Sequence, residues 1–441
     1  MPPVLDPPPH AWEVRTSFGE PLAGPPDRVV RPAPPPGVLE RHVRPLASAD
    51  PYTWLASLPV GSRRLFVARE GGELAAGTGH ALVLEGGDFG VLRHLPADPA
   101  PGPDGGLAAF LTSRFDLAVA PSAPWRPYGA VRLVVPCLEL RCHEGRWYAI
   151  EQRVAGEPPA QAPCGTEPED MPRGPIDERA RWDASMAALL ERVGDGQLVK
   201  GVLARRDAHR LHEPADPLDV LRRLDAAAGI GYRFLVEAGG ERAFLGVSPE
   251  CLARRRDRHV WTEALAGTLA PVEGGASGTP LDLLDSDKDR REHAVVVDHV
   301  VGRLRQVAAR VEAAAAPAVE AAGRLLHLRT RVEADLDAGV HDADLLAALH
   351  PTPAVAGEPV DTALAWLRTH EGFDRGLYAG LVGRVGAFGL DVAVALRSAR
   401  LDGSEAIAYA GAGVVRGSRA DAEWDETEQK LGGMRAALGA S

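Results

Sequence analysis

Two stretches far apart in the chain each set a pair of carboxylates at helical spacing. Asp289 and Glu292 stand at i and i+3 in KDRREHAVVVD, and Glu423 and Glu426 do so in EWDETEQKL, with Lys430 further along the same face. Four carboxylates facing one another would suit Mg²⁺ with retained waters, whereas two solvated helix faces would suit the same spacing. Just before the second pair, AYAGAGVV supplies Gly411, Ala412 and Gly413, read as a loop of small residues whose exposed N–H groups face a small anion. Lys200 lies among apolar residues in QLVKGVLAR, where it is either a base or a solvent-facing strand lysine. Glu250 closes FLGVSPE just beyond an apolar strand. Half buried there, its carboxyl would hold its proton to higher pH and could donate it near neutrality; the alternative is a turn acid capping an amide. Gly267 and Thr268 end TEALAGT, where backbone can approach a ligand, and Arg397 is embedded in the β run ALRSARL, where it either binds a carboxylate bidentately or faces solvent.

Elements must exist to hold these groups. Residues 1–38 are proline-rich and read as a loosely held arm, because proline removes backbone donors. Residues 39–184 carry short β-like runs, RRLFVARE, HALVLEGGDFGVLRHL, AVRLVVPCLELRC and RWYAIEQRV, which predict an antiparallel sheet, then a polar loop and a helix over 176–193. No functional constellation stands out in that half. From 185 to 438 the periodicity predicts strands at Lys200, at GYRFLVEA, at RAFLGVS and at WTEALAGTL. One long helix is expected from LLDSDKDRREH through VEAAAA, with Asp285 or Ser286 as its cap, followed by an Ala-rich helical stretch. HPTPAVAG cannot continue a helix and reads as an ordered loop over 350–357.

The formal charge of −12 and the pI near 5.7 argue against a general nucleic-acid binder, which needs a basic face. No apolar run is long enough to span a bilayer, and the first residues lack a signal peptide's pattern, so no membrane partner and a cytoplasmic location are expected. Cys137, Cys142, Cys164 and Cys251 form no Cys-x-x-Cys pair and read as reduced thiols; Cys137, Cys142 and His143 read as strand residues rather than a metal cluster.

Taken together and in order, QLVKGVLAR, FLGVSPE, TEALAGT, KDRREHAVVVD, HPTPAVAG, FDRGLYAGLVG, ALRSARL, AYAGAGVV and EWDETEQKL resemble the chorismate-utilising enzymes, the family of isochorismate, salicylate, anthranilate and aminodeoxychorismate synthases. The resemblance covers roughly residues 185–438. It implies an α+β fold, one large domain of two subdomains with orthogonally packed antiparallel sheets in the centre and helices outside. By the same resemblance Lys200 would be the general base and Glu250 the general acid, and Glu292 and Glu426 would be Mg²⁺ ligands with Asp289 and Glu423 holding metal-bound waters. Gly267, Thr268, Ala354, Arg397, Gly411 and Lys430 match substrate-contacting positions, with Ala412 and Gly413 beside them, and His327 matches a pocket histidine of open role. The implied reaction is addition of water at C2 of chorismate with loss of the C4 hydroxyl, since ammonia-using members do not keep a lysine base there. The alternatives are a salicylate synthase, which goes on to eliminate pyruvate, and a silent chorismate-binding homologue. No glutaminase subunit is implied and a monomer is expected; the pathway served, siderophore, menaquinone or other, stays open. The sequence departs from the family pattern at LAPVEGG after Thr268, at Gly201, and in the charge of LRTRVEADL.

Overall fold

The β runs sort into two sheets. The computed structural model describes residues 13–18, 38–69, 73–155, 178–269, 279–322 and 325–439. Most of the proline-rich arm, the 156–177 loop and all but the first residue of LAPVEGG lie outside these. Within the arm, Glu13–Phe18 is a strand that pairs in parallel with Val38–Leu46. Twelve described strands make the first sheet, in which Arg64–Val67 pairs with Tyr232–Glu237, and the run from Arg242–Ser248 through Ser398–Asp402 and Glu405–Val415 ends beside Lys200–Arg210 and the short Gly357–Glu358. The second sheet holds Cys251–Arg256, His259–Leu269, Leu325–Leu336, Leu381–Gly386 and Gly389–Val394, together with Ala108–Ser113 and its neighbours from the first third of the chain. Both halves of the sequence therefore contribute to both sheets. The single sheet expected over 39–154 is instead divided between the two.

Buried charge ties these halves together. Glu139 pairs with Arg141 at 2.7 Å and with Arg384 at 2.6 Å, and Arg41 with Asp104 at 2.5 Å, all without solvent exposure. Burial alone would raise the Glu139 carboxyl, but the two guanidinium groups hold it at about 2. Removing one partner of such a pair costs roughly 3–5 kcal/mol, because the other charge is left uncompensated.

The helices follow local signals until tertiary pairing overrides them. Asp287–Leu304 is capped by Ser286, whose hydroxyl accepts from the Asp289 amide, and it packs on His259–Leu269 and Leu325–Leu336. It does not continue into VEAAAA. Ala308–Ala313 and Ala318–Ala322 are strands that pair with Leu325–Leu336, correcting the long helix and the Ala-rich helical stretch. Alanine's helix preference amounts to tenths of a kcal/mol per residue, less than ladder hydrogen bonds at an open sheet edge contribute. At the other end, Ala420–Leu438 packs on Glu405–Val415 and stops at Gly439, which takes the left-handed conformation at φ 71°.

Candidate active site

The chain crosses between the sheets twice at one place, and each crossing carries a charged residue. Pro249 and Glu250 join Arg242–Ser248 of the first sheet to Cys251–Arg256 of the second. Residues 395–397 make the return crossing from Gly389–Val394 to Ser398–Asp402. The crossings are fastened together: Ser248 Oγ donates to the Val394 carbonyl at 2.5 Å, the Val394 amide to the Glu250 carbonyl at 3.1 Å, and the Val247 amide to the Arg397 carbonyl at 3.3 Å. Arg397 is thus not embedded in a strand, as its sequence suggested. It holds φ at 47°, a left-handed conformation that costs a non-glycine residue roughly 1–3 kcal/mol and survives only where surroundings enforce it.

Around this seam lies a cleft of about 80 Å³. Of the residues singled out from sequence, Lys200, Glu250, Gly267, Thr268, Glu292, His327, Ala354, Arg397, Gly411, Gly413, Glu426 and Lys430 line it. Lys200 comes from the first sheet, paired between Val415 and Glu358, Glu292 and Glu426 from two different helices, and Gly267 from a bulge in His259–Leu269 at φ 76°. Ala412 does not line the cleft. Gly411, Ala412 and Gly413 sit inside the strand Glu405–Val415, paired with Ala204, Leu203 and Val202, and not in a loop. With a side-chain period of two, Gly411 and Gly413 share the cleft face and Ala412 points to the other. Their role is steric: a Cβ on Gly413 would stand 2.2 Å from Glu292 Oε1. Gly201 has a comparable reason, because Leu189 Cδ1 lies 2.6 Å from where its Cβ would be.

The polar groups are poised against each other. Lys200, 1% exposed, pairs with Glu292 at 3.0 Å, and Lys430 Nζ donates to Glu426 at 2.6 Å and to the Gly411 carbonyl at 2.8 Å. Burial, reinforced by the Glu263 carboxylate and opposed by Lys200 and Lys430, pushes Glu250 up to about 8, so its carboxyl is protonated at neutral pH. His327 is held well below the usual histidine range by burial and by the cations Arg397 and Lys430. A guanidinium only donates, so the 3.2 Å contact of Arg397 Nη2 with His327 Nε2 makes Nε2 the acceptor, and the proton sits on Nδ1, facing the Gly267 carbonyl at 3.3 Å. Among the described residues no carboxylate forms an ion pair with Arg397.

Asp289 and Glu423 stand behind the cleft. Asp289 accepts from Ser286, and Glu423 from Lys288 at 2.6 Å. Both are raised, first by burial and then by neighbouring carboxylates, Glu292 and Glu426 acting on Asp289 and Glu426 on Glu423. Among the described residues no three acidic, imidazole or thiol groups converge on one point. Mg²⁺ needs less: it commonly takes one or two protein carboxylates and completes its shell with water and substrate oxygens. Glu292 and Glu426 are two hard donors open to the cleft, and the Gly413 gap leaves room beside one of them. The donor set fits.

Sequence reading passed over Tyr378, Arg375 and Lys288. Tyr378 and Arg375 also line the cleft, but Arg375 directs its donors to Glu371, the Val355 carbonyl at 2.7 Å and the Val202 carbonyl at 2.8 Å, and so pins the 350–357 loop to the Lys200 strand. The Glu371/Arg375 i, i+4 spacing was the available signal. In the first half, Cys137, Cys142 and His143 lie in or beside strands, and His143 Nδ1 pairs with Glu73 at 2.8 Å.

A family model described as chorismate binding enzyme matches residues 92–439, reaching well into the half that had seemed uninformative. Over 287 residues the chain is 37% identical to the salicylate biosynthesis isochorismate synthase of Pseudomonas aeruginosa, covering 64% of this chain and 60% of that one. Over 266 residues it is 37% identical to the isochorismate synthase MenF of Escherichia coli, covering 59% and 61%. The match thus spans less than two thirds of either relative's own length. The solved structure of MenF, the menaquinone-specific isochorismate synthase from Escherichia coli, superposes with a TM-score of 0.77 at 28% identity over 93% of this chain and 96% of that one.

Proposed function

Because the chain belongs to the chorismate-binding enzyme family, we propose that it is an isochorismate synthase, adding water at C2 of chorismate as the C4 hydroxyl departs. The observation that carries this reading is the pairing of a buried lysine with a carboxyl pushed up to about 8 in one cleft. Lys200 takes a proton from the attacking water, Glu250 delivers one to the departing hydroxyl, and the ring double bonds shift between the two carbons. One water enters and one leaves, so the product is an isomer. Arg397 offers a bidentate fork to a substrate carboxylate, and His327, accepting from one of its nitrogens, fixes the fork's direction. Glu292 and Glu426 would hold Mg²⁺, which when bound anchors the ring carboxylate and offsets its charge. Because water is the nucleophile, this reading requires no glutaminase subunit. None of the described helices is long and apolar enough to cross a membrane, and a cytoplasmic location goes with the proposal.

The test is to incubate purified protein with chorismate, with and without Mg²⁺, and identify products by chromatography and mass. Isochorismate that forms only with Mg²⁺ is the expected result. Salicylate with pyruvate would move the protein to the lyase reading on the same residues, and chorismate binding without product would overturn catalysis.

The protonation state of Glu250 gives a second expectation. The acid works only while protonated, so kcat/KM should fall as pH rises through about 8, and Glu250→Gln should be slow and lack that alkaline limb. A wild-type profile flat from pH 7 to 9 would remove Glu250 from the role.

A further inference from the structure

A larger cavity, about 390 Å³, lies behind the general acid. The strand His259–Leu269 turns Leu265 and Gly267 to the catalytic cleft and, farther back, Trp261 and Glu263 to this second space. Register places Arg254 beside Trp261, Trp261 beside Glu333, and Glu263 beside Arg331, so one sheet face carries all of them. Arg69 and Tyr232 reach in from the other sheet. Among the described residues, five guanidinium groups, of Arg69, Arg254, Arg256, Arg329 and Arg331, and two carboxylates, of Glu263 and Glu333, line this space.

Ion pairs take up part of this charge, Arg256 reaching Glu73 at 3.6 Å. Glu263 pairs with Arg69 at 3.2 Å and Arg329 at 2.7 Å, and Glu320 closes the same two arginines from outside. Arg254 pairs with Asp391 at 3.2 Å and donates to the Arg69 carbonyl. Arg331 is exposed, and among the described residues its guanidinium makes no hydrogen bond or ion pair, its backbone carbonyl accepting from the Ala314 amide at 2.9 Å. Beside it Trp261, 37% exposed, turns an indole wall to the cavity. Guanidinium forks match carboxylate geometry, and ligand pockets commonly run from about 300 to 1,000 Å³.

We propose that this cavity is a second ligand site, separate from the catalytic cleft, for a ring-bearing organic dianion: its acidic groups bind Arg331 and Arg254 and its ring lies against Trp261. The proposal does not depend on the chemistry assigned to the cleft, and its test reads binding, not turnover. Calorimetric titration of the full chain with isophthalate, at ionic strength held constant, should show saturable one-site binding. Arg331→Glu and Trp261→Ala, both at exposed positions where folding should be spared, should each weaken it at least about tenfold, equivalent to about 1.4 kcal/mol, while leaving the KM for chorismate unchanged. Isophthalate should also not compete with chorismate in the steady state. Absence of saturation, unchanged affinity in Arg331→Glu, competition with chorismate, or displacement by equimolar sulfate would each overturn the proposal.

Discussion

Lys200→Ala is expected to lower kcat by about 10²–10⁴-fold, the contribution typical of a positioned acid or base, and to leave the KM for chorismate within a few-fold of its original value. The side chain is buried beside Gly413, and among the described residues its ionic partner is Glu292 at 3.0 Å. Truncation therefore removes two things, a base and the counter-ion of a nearly buried carboxylate, and the second should also lower the melting temperature. Lys200→Arg separates them. It keeps a cation for Glu292 but stays protonated throughout the working pH range, so it should recover stability and remain slow. If Lys200→Ala turns over as fast as the unaltered protein, the base lies elsewhere.

Glu292→Gln should weaken Mg²⁺ binding by at least ~100-fold, more than the 10–100-fold loss typical of removing a supporting partner of a ligand. Glu426→Gln should behave alike, since both carboxylates open on the cleft. Glu423→Gln makes the informative contrast: its carboxylate faces Lys288 behind the cleft, so the loss should be smaller. Calorimetric titration with Mg²⁺ alone reads these affinities without turnover. Isotherms indistinguishable from the unaltered protein in Glu292→Gln and Glu426→Gln would end the assignment of the metal to these two residues.

Much of the cleft was legible because its parts follow short-range rules. A 3.6-residue period puts Glu423, Glu426 and Lys430 on one stripe of Ala420–Leu438, and Ser286 announced the start of the helix that carries Glu292. The Ser-Pro-Glu corner stopped a strand and left Glu250 at its end. What failed were inferences in which one short stretch had to stand for its surroundings. Gly411 to Gly413 read as a loop because glycine is common in loops, yet their register with Lys200–Arg210 makes them strand. Ala308–Ala313 and Ala318–Ala322 read as helix from composition, yet both pair with the strand Leu325–Leu336.

By itself, then, the sequence determined which side chains are available, the spacing that aligns them along each helix, and the ordered motifs that mark the family. These depend on covalent geometry and on neighbours within a few residues. Only the tertiary structure decided that the chain crosses between two sheets at Glu250 and again at Arg397, that Ala412 faces away while Gly413 makes room for Glu292, and that five arginines gather behind the acid. Those outcomes rest on strand pairings between residues many tens of positions apart. No local window contains both partners, so the shared face and the buried charge come into being only when the sheets close.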